Sequence, residues 1–276
     1  MALKLDSCVA QHIGDRKEQQ DRAAVFPHSR HKGMLMAALA DGMGGHSGGA
    51  MAAEQVMLKA RENFESYAPK SETPEDLLRS VVEESHVVIK LTRFTSEQDP
   101  HSTACVLLLQ AGRVDWAHCG DSRIYHFRNG NLVMRSADHS LVAELMRQGK
   151  LDEEGAKRHP QRNLLIHCLG SPQEPVCDFG AAEGLADGDC FVICSDGLWA
   201  YFSDEELGGV VSVYSAREAS EILIRRARER GRPTGDNVSL IVIKLVDPEA
   251  RKRAEDERLA AARRKLEGRM GSMPGN

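Results

Sequence analysis

Apolar positions recur with two distinct periods along the chain, and the two alternate. Residues 34–40 form a run without charge that reads as a buried strand, residues 104–109 and 190–194 repeat the form, and residues 114–118 and 238–246 read as further strands. Two further short runs, 124–128 and 132–134, flank Asn129-Gly130, a strong hairpin signal. Between these strands the period lengthens. Ala53, Val56, Met57, Ala60, Phe64 and Tyr67 follow helical spacing, so they make the core-facing stripe of an amphipathic helix. Thr73-Pro74-Glu75-Asp76 supplies a capping hydroxyl, a first-turn proline and two acids, and Leu77, Val81, Val88 and Leu91 follow as the stripe of a second helix. Residues 141–148, a stretch opening at Asp204-Glu205-Glu206 and residues 216–230 read as helices too, and Asp247-Pro248-Glu249 caps a highly charged one through Glu267. Neighbouring strands pair locally here, so at least part of the sheet is antiparallel.

Residues 10–22 are polar, open on Gly14 and read as a loop leading to a strand over 23–26. Residues 140–177 separate two strands with helical and irregular sequence, a candidate flap over a site. This divides the chain into a main domain over 1–246 and a charged tail over 247–276.

Composition narrows the function classes. With 36 basic and 41 acidic residues among 276, the formal net charge is −5, which argues against nucleic-acid or anionic-membrane partners. The first residues lack a hydrophobic signal region and no apolar run approaches the ~20 residues of a membrane span. A cytoplasmic protein is expected. Seven cysteines without a C-x-x-C pair read as reduced thiols, and the local spacing of Cys and His, as in His28 with His31 or His118 with Cys119, does not suggest zinc.

What changes the picture is where the acids fall. Residues 34–40 end in Asp41-Gly42-Met43-Gly44-Gly45-His46, and residues 190–194 end in Ser195-Asp196-Gly197. Gly235-Asp236-Asn237 stands just before the last strand, and Gly120-Asp121-Ser122-Arg123 lies between two others. Acids at the rims of neighbouring apolar strands converge, and bare carboxylates that close repel unless a hard cation joins them. Glycine backbone lets carbonyl oxygens approach such an ion. Arg16 at the rim suits bidentate capture of a phosphate. No plausible covalent nucleophile is present in a fixed triad, and the glycines match neither G-x-G-x-x-G nor a Lys-containing phosphate loop. Metal-assisted hydrolysis of a phosphate ester fits this inventory, with two cations roughly 3.5–4 Å apart activating water.

Six pieces in order carry a family resemblance: Arg16-Lys17-Glu18-Gln19-Gln20-Asp21, the stretch from Asp41 to His46, Ser102-Thr103-Ala104, Gly120-Asp121-Ser122-Arg123, Ser195-Asp196-Gly197-Leu198 and Gly235-Asp236-Asn237. Over about residues 8–246 the chain resembles the bacterial metal-dependent serine/threonine phosphatases of the protein phosphatase 2C type. The resemblance implies an α+β, four-layer α-β-β-α sandwich of two central, mostly antiparallel sheets flanked by helices. It implies hydrolysis of phosphoserine and phosphothreonine in proteins by a metal-bridged hydroxide, in a monomer that opposes a cognate cytosolic Ser/Thr kinase. A non-catalytic phosphoprotein-binding module on the same fold is the alternative.

By matching motif positions, Asp41 bridges two Mn2+ or Mg2+ ions, Gly42 lends its carbonyl, Asp196 and Asp236 hold one ion, and Asp21 contacts the site through water. Arg16 binds the substrate phosphate and His46 is the candidate general acid, although non-bacterial relatives place a histidine where this chain has Met43. Asp121 matches a ligand of a third, weaker metal. Two positions depart from the pattern: Ala200 replaces a further third-metal aspartate, and Gln19 stands where relatives carry Asn.

Overall fold

The computed structural model describes residues 3–44, 46–92 and 99–249, with only the backbone of His46 and Ser47 described. In chain order the elements are β1 (Lys4–His12), β2 (Asp21–Pro27), β3 (Leu35–Met43), α1 (His46–Ser66), α2 (Pro74–Thr92), β4 (His101–Ser102), β5 (Ala104–Gln110), β6 (Arg113–Cys119), β7 (Arg123–Arg128), β8 (Asn131–Arg135), α3 (Leu141–Arg147), α4 (Glu153–Arg158), β9 (Asp178–Glu183), β10 (Asp189–Cys194), α5 (Asp196–Trp199), α6 (Asp204–Val213), α7 (Ala216–Gly231) and β11 (Val238–Val246).

The strands form two antiparallel sheets, one in the order β1-β11-β10-β7-β8 and the other β2-β3-β5-β6-β9, with β4 alongside β3. The charge-free runs are explained by burial on both faces. Leu35, Ala37 and Leu39 of β3 point between the sheets with Leu107, Phe191, Ile193, Ile241 and Ile243, whereas Met36, Ala38 and Ala40 point outward against Val56, Phe64 and Leu77 of α1 and α2. The other sheet packs Tyr125, Phe127, Val192, Leu240 and Val242 against Leu207 of α6 and Leu223 of α7. The order is therefore helices, sheet, sheet, helices, the expected α+β sandwich of four layers. Each large apolar side chain so enclosed contributes about 1.5–3 kcal/mol.

Several element boundaries differ from those the sequence suggests. β3 continues through Asp41 and Gly42 to Met43, and α1 starts at His46, so Gly48 and Gly49 belong to a helix and not to a loop. β1 is a strand whose first half carried no expectation and whose end, residues 10–12, reads as loop. As an edge strand paired only with β11, it leaves Leu5 and Val9 partly exposed, which dilutes its apolar pattern. The buried stripe of α2 runs through Leu77, Leu78, Val81, Val82 and Ile89, while Leu91 is exposed. α4 lies within the polar part of the 140–177 segment. The helix expected beyond Glu249 lies outside the described residues. Asn129 and Gly130 turn the β7–β8 hairpin with φ of 51° and 83°.

Candidate active site

Five aspartates from separate elements meet at one end of the sandwich. Asp21 and Asp41 oppose each other in register at the first residue of β2 and near the end of β3. Asp196 is the first residue of α5, reached directly from β10, and Asp236 immediately precedes Asn237 and β11. Asp121 occupies the turn from β6 to β7, where Gly120 takes a φ of 106°. Backbone packing brings these ends together. A Cβ on Gly42 would sit 1.9 Å from the carbonyl oxygen of Gly49, and one on Gly197 would sit 1.9 Å from that of Asn237.

The backbone around each acid is tied down. Asp41 donates its N–H to Thr103 Oγ1 at 2.9 Å and accepts from the Thr103 N–H at 2.9 Å. Ser195 Oγ donates to Asp21 Oδ2 at 2.8 Å and itself accepts from the Ser239 N–H at 3.1 Å. Asn237 clips the Arg16 loop: its Oδ1 accepts from the Gln20 N–H at 2.8 Å, and its Nδ2 donates to the carbonyls of Ile13 and Glu18 at 2.8 and 3.0 Å. Gln19, the departure from the family pattern, accepts the Asp21 N–H through Oε1 at 3.1 Å. Trp199 Nε1 donates to the Asp121 carbonyl at 2.9 Å, and Arg123 stacks 3.5 Å over the Trp199 ring while holding Asp138 with two bonds of 2.7 Å.

Electrostatically the cluster is overcharged. Burial, then repulsion from Asp21, Asp196, Asp121 and Asp236, holds the Asp41 carboxyl well above its usual range. Asp196 is raised for the same reasons, burial first, then Asp121, Asp236 and Asp21. Asp121 is pushed up to about 7 by burial and then by Asp138. Asp21 is raised by burial, although hydrogen bonds from Ser239 and Ser195 oppose the shift. The cationic partner at the mouth is Arg16, whose Nη2 reaches Asp236 Oδ2 at 2.5 Å with both side chains substantially exposed.

Such a donor set, all oxygen and short of positive charge, fits hard divalent cations such as Mg2+ or Mn2+.

Arg16, Asp21, Asp41, Gly42, Asp121, Asp196 and Asp236, all singled out from sequence, thus surround one space. His46 opens α1, but its side chain lies outside the described residues. Asp138 and His139 do not act as a pair; Asp138 binds Arg123 and His139 binds Asp178. Ser239 and Trp199 carry supporting roles that no local pattern announces, and Thr103, Ser195 and Asn237 were visible only as parts of motifs. All seven cysteines are free thiols.

Comparison with known proteins agrees with this fold. The sequence model of the protein phosphatase 2C family matches residues 10–231. PhpP of Streptococcus pneumoniae, a protein phosphatase, is 29% identical over 244 residues, covering 85% of this chain and 96% of that protein. Among solved structures, the S. agalactiae serine/threonine phosphatase aligns with a TM-score of 0.80 at 28% identity, over 88% of this chain and all of that one. The catalytic domain of the serine/threonine phosphatase PstP in complex with two manganese ions aligns with a TM-score of 0.73 at 26% identity, over 89% of this chain and 100% of its own. Fold and site together define a metal-dependent protein serine/threonine phosphatase. The chain belongs to the protein phosphatase 2C family.

Proposed function

We propose that this chain hydrolyses phosphoserine and phosphothreonine in proteins using two divalent cations, Mn2+ or Mg2+, held by its aspartate cluster. The observation that carries this reading is the convergence of five aspartates, four of which, Asp21, Asp41, Asp121 and Asp196, have their carboxyls raised by burial and by neighbouring carboxylates, so that the cluster calls for bound positive charge. In it Asp41, Asp196, Asp236 and the Gly42 carbonyl would hold the ions, and Asp21 would lie beside them. When bound, the ions supply a water of lowered pKa and stabilise charge on the transferred phosphoryl group.

The chain's own residues do the rest. Ser195 and Ser239 hold Asp21 oriented as an acceptor. Arg16 lies against Asp236 at the mouth of the cluster, where its guanidinium would grip two phosphate oxygens of the substrate. His46 at the start of α1 is the proton donor to the departing serine or threonine oxygen. Asp121 marks a third cation position, weakened because Ala200 contributes no carboxylate. The substrates are phosphoproteins made by an opposing Ser/Thr kinase in the cytoplasm, and the chain acts as a monomer. Among the described residues no helix is long and apolar enough to cross a membrane.

The test is hydrolysis of para-nitrophenyl phosphate and of a phosphothreonine peptide by EDTA-treated protein to which Mg2+, Mn2+ or Ca2+ is returned singly. Turnover restored by Mn2+ or Mg2+ supports the reading. A folded protein inactive with every ion overturns it.

A further inference from the structure

A second group of ligand-bearing side chains sits on the other side of Gly120 from Asp121. One ring nitrogen of His118, one of His139 and a carboxylate oxygen of Asp178 all lie within 4.8 Å of one another. His118 is on β6, its registered partner Asp178 opens β9, and His139 stands just before the Ser140 cap of α3. The rings of His118 and His139 are 4.8 Å apart, and His139 Nε2 is 3.1 Å from Asp178 Oδ2.

His118 is the informative member. It is fully buried, and its Nε2 lies 2.7 Å from the Ser122 carbonyl, which can only accept, so Nε2 carries the ring proton. Nδ1 is then the lone-pair nitrogen, and it is buried without a hydrogen-bond partner. A buried polar atom left so costs about 1–3 kcal/mol. A histidine whose far nitrogen donates to a backbone carbonyl while its near nitrogen carries a bare lone pair is the arrangement seen in metal-ligating histidines. Burial, followed by the neighbouring His139, lowers the His118 pKa to about 4, so the ring is neutral as a ligand requires.

We propose that His118, His139 and Asp178 form a binding site for a borderline transition cation, Zn2+ in kind, separate from the aspartate cluster. His118 ligates through Nδ1, His139 through Nε2 and Asp178 through a carboxylate oxygen. His167 stands beside the trio, its ring 5.6 Å from that of His139, as the donor for the fourth position. Ligation through His139 Nε2 moves the ring proton from Nε2 to Nδ1, so the ring stays neutral; the bonds given up are the one from Nε2 to Asp178, 3.1 Å, and the long one, 3.3 Å, that Nδ1 accepts from the Gly120 N–H. No electron transfer is involved. Nitrogen donors of this kind select Zn2+ over Mg2+ and Mn2+, which prefer an all-oxygen set.

The position gives the site a consequence. His139 begins the inserted segment and Asp178 follows it, and the segment folds back where the Ile166 N–H meets the His139 carbonyl at 2.9 Å. His139 also donates its backbone N–H to the Gly120 carbonyl at 2.8 Å, one residue before Asp121. A cation here staples both ends of the insertion to β6 beside the catalytic cluster.

Co2+ reports the two sites differently, because four-coordinate Co2+ with nitrogen ligands absorbs intensely in the visible and six-coordinate oxygen-ligated Co2+ weakly. Co2+ is titrated into metal-stripped Asp41→Asn protein kept in excess Mg2+, and into the same protein also carrying Asp178→Ala or His139→Ala. Asp178 is half exposed, so its truncation leaves the fold intact, which circular dichroism verifies. One equivalent of intense absorption in Asp41→Asn, displaced by Zn2+ and weakened at least about tenfold in affinity by either second change, is the expected result. No intense band in Asp41→Asn, or an equal band after Asp178→Ala, overturns the proposal and leaves an ordinary His–Asp pair beside a core histidine. The readout is independent of turnover, so it stands or falls apart from the phosphatase reading.

Discussion

The aspartate cluster and the histidine cluster flank the same turn, Gly120-Asp121, yet they are assembled in opposite ways. Asp41 and Asp196 follow strands buried on both faces and Asp236 precedes another, so these are flagged by the apolar run beside them, whereas Asp21 opens the half-buried edge strand β2. His118 and Asp178 are paired in register at one end of β6 and β9 and His139 comes from a loop, and no sequence motif groups the three. The electrostatics differ as well. Asp41 and Asp196 are pressed above their usual range by burial and by one another, whereas His118 is pressed below its range by burial and His139. One cluster lacks positive charge and the other offers neutral lone pairs. A single chain thereby presents hard and borderline ligand sets side by side without mixing them.

The sharpest way to break this contrast is to remove one charge from the oxygen side. Asp41→Asn is expected to lower kcat on the order of a thousandfold with Mn2+ present, with the fold retained, because little volume changes. Near-normal turnover in the purified variant would dissolve the distinction. Gly42→Ala probes whether backbone packing positions that side: its Cβ would meet Gly49 O at 1.9 Å and Gln20 O at 2.8 Å. A loss of about 3 kcal/mol in stability is expected, read as a lower denaturation midpoint with an unchanged slope. A stable variant would show that the β3–α1 approach is loose.

Arg16→Ala addresses the mouth of the oxygen cluster. Loss of a charge-assisted contact of about 1.5–3 kcal/mol should raise KM for phosphothreonine peptide about 10–100-fold, with a smaller effect on kcat. An unchanged KM would place phosphate recognition elsewhere. The mildest effect is on metal-free stability. The folded pKa of Asp121, about 7, lies above its ordinary value, so the folded state keeps a proton that the unfolded chain releases earlier. Stability in EDTA is therefore greatest below the ordinary carboxylate range and declines as pH rises from about 4 to about 7. Calorimetry should show the melting temperature falling over that window, with the decline suppressed by saturating Mn2+. A flat profile would mean that the acids are relieved without a cation.

Much of the fold was legible because burial writes itself into composition. β3, β5, β6, β10 and β11 lie between two apolar layers and are dominated by apolar residues, and the Asn129-Gly130 hairpin follows from the backbone those two residues permit. β1 was not legible in full, since an edge strand with one half-wet face loses the contrast on which alternation depends. The start of α1 was hidden by Gly48 and Gly49, whose low helix propensity is overridden by the close approach of Gly42. Leu91 was assigned to the wrong face because the adjacent apolar residues of α2 allow two stripes, and packing selects the one through Leu78 and Ile89.

By itself, then, the sequence determined which strands are doubly buried, which carboxylates stand at their rims and to which family those motifs belong, all of them local consequences of side-chain polarity along the chain. Tertiary structure alone decided that Asn237 clips the Arg16 loop, that Trp199 and Arg123 brace Asp121, and that His118, His139 and Asp178 share one small volume. Those contacts join residues far apart in the chain, and register and loop return, not local spacing, bring them together.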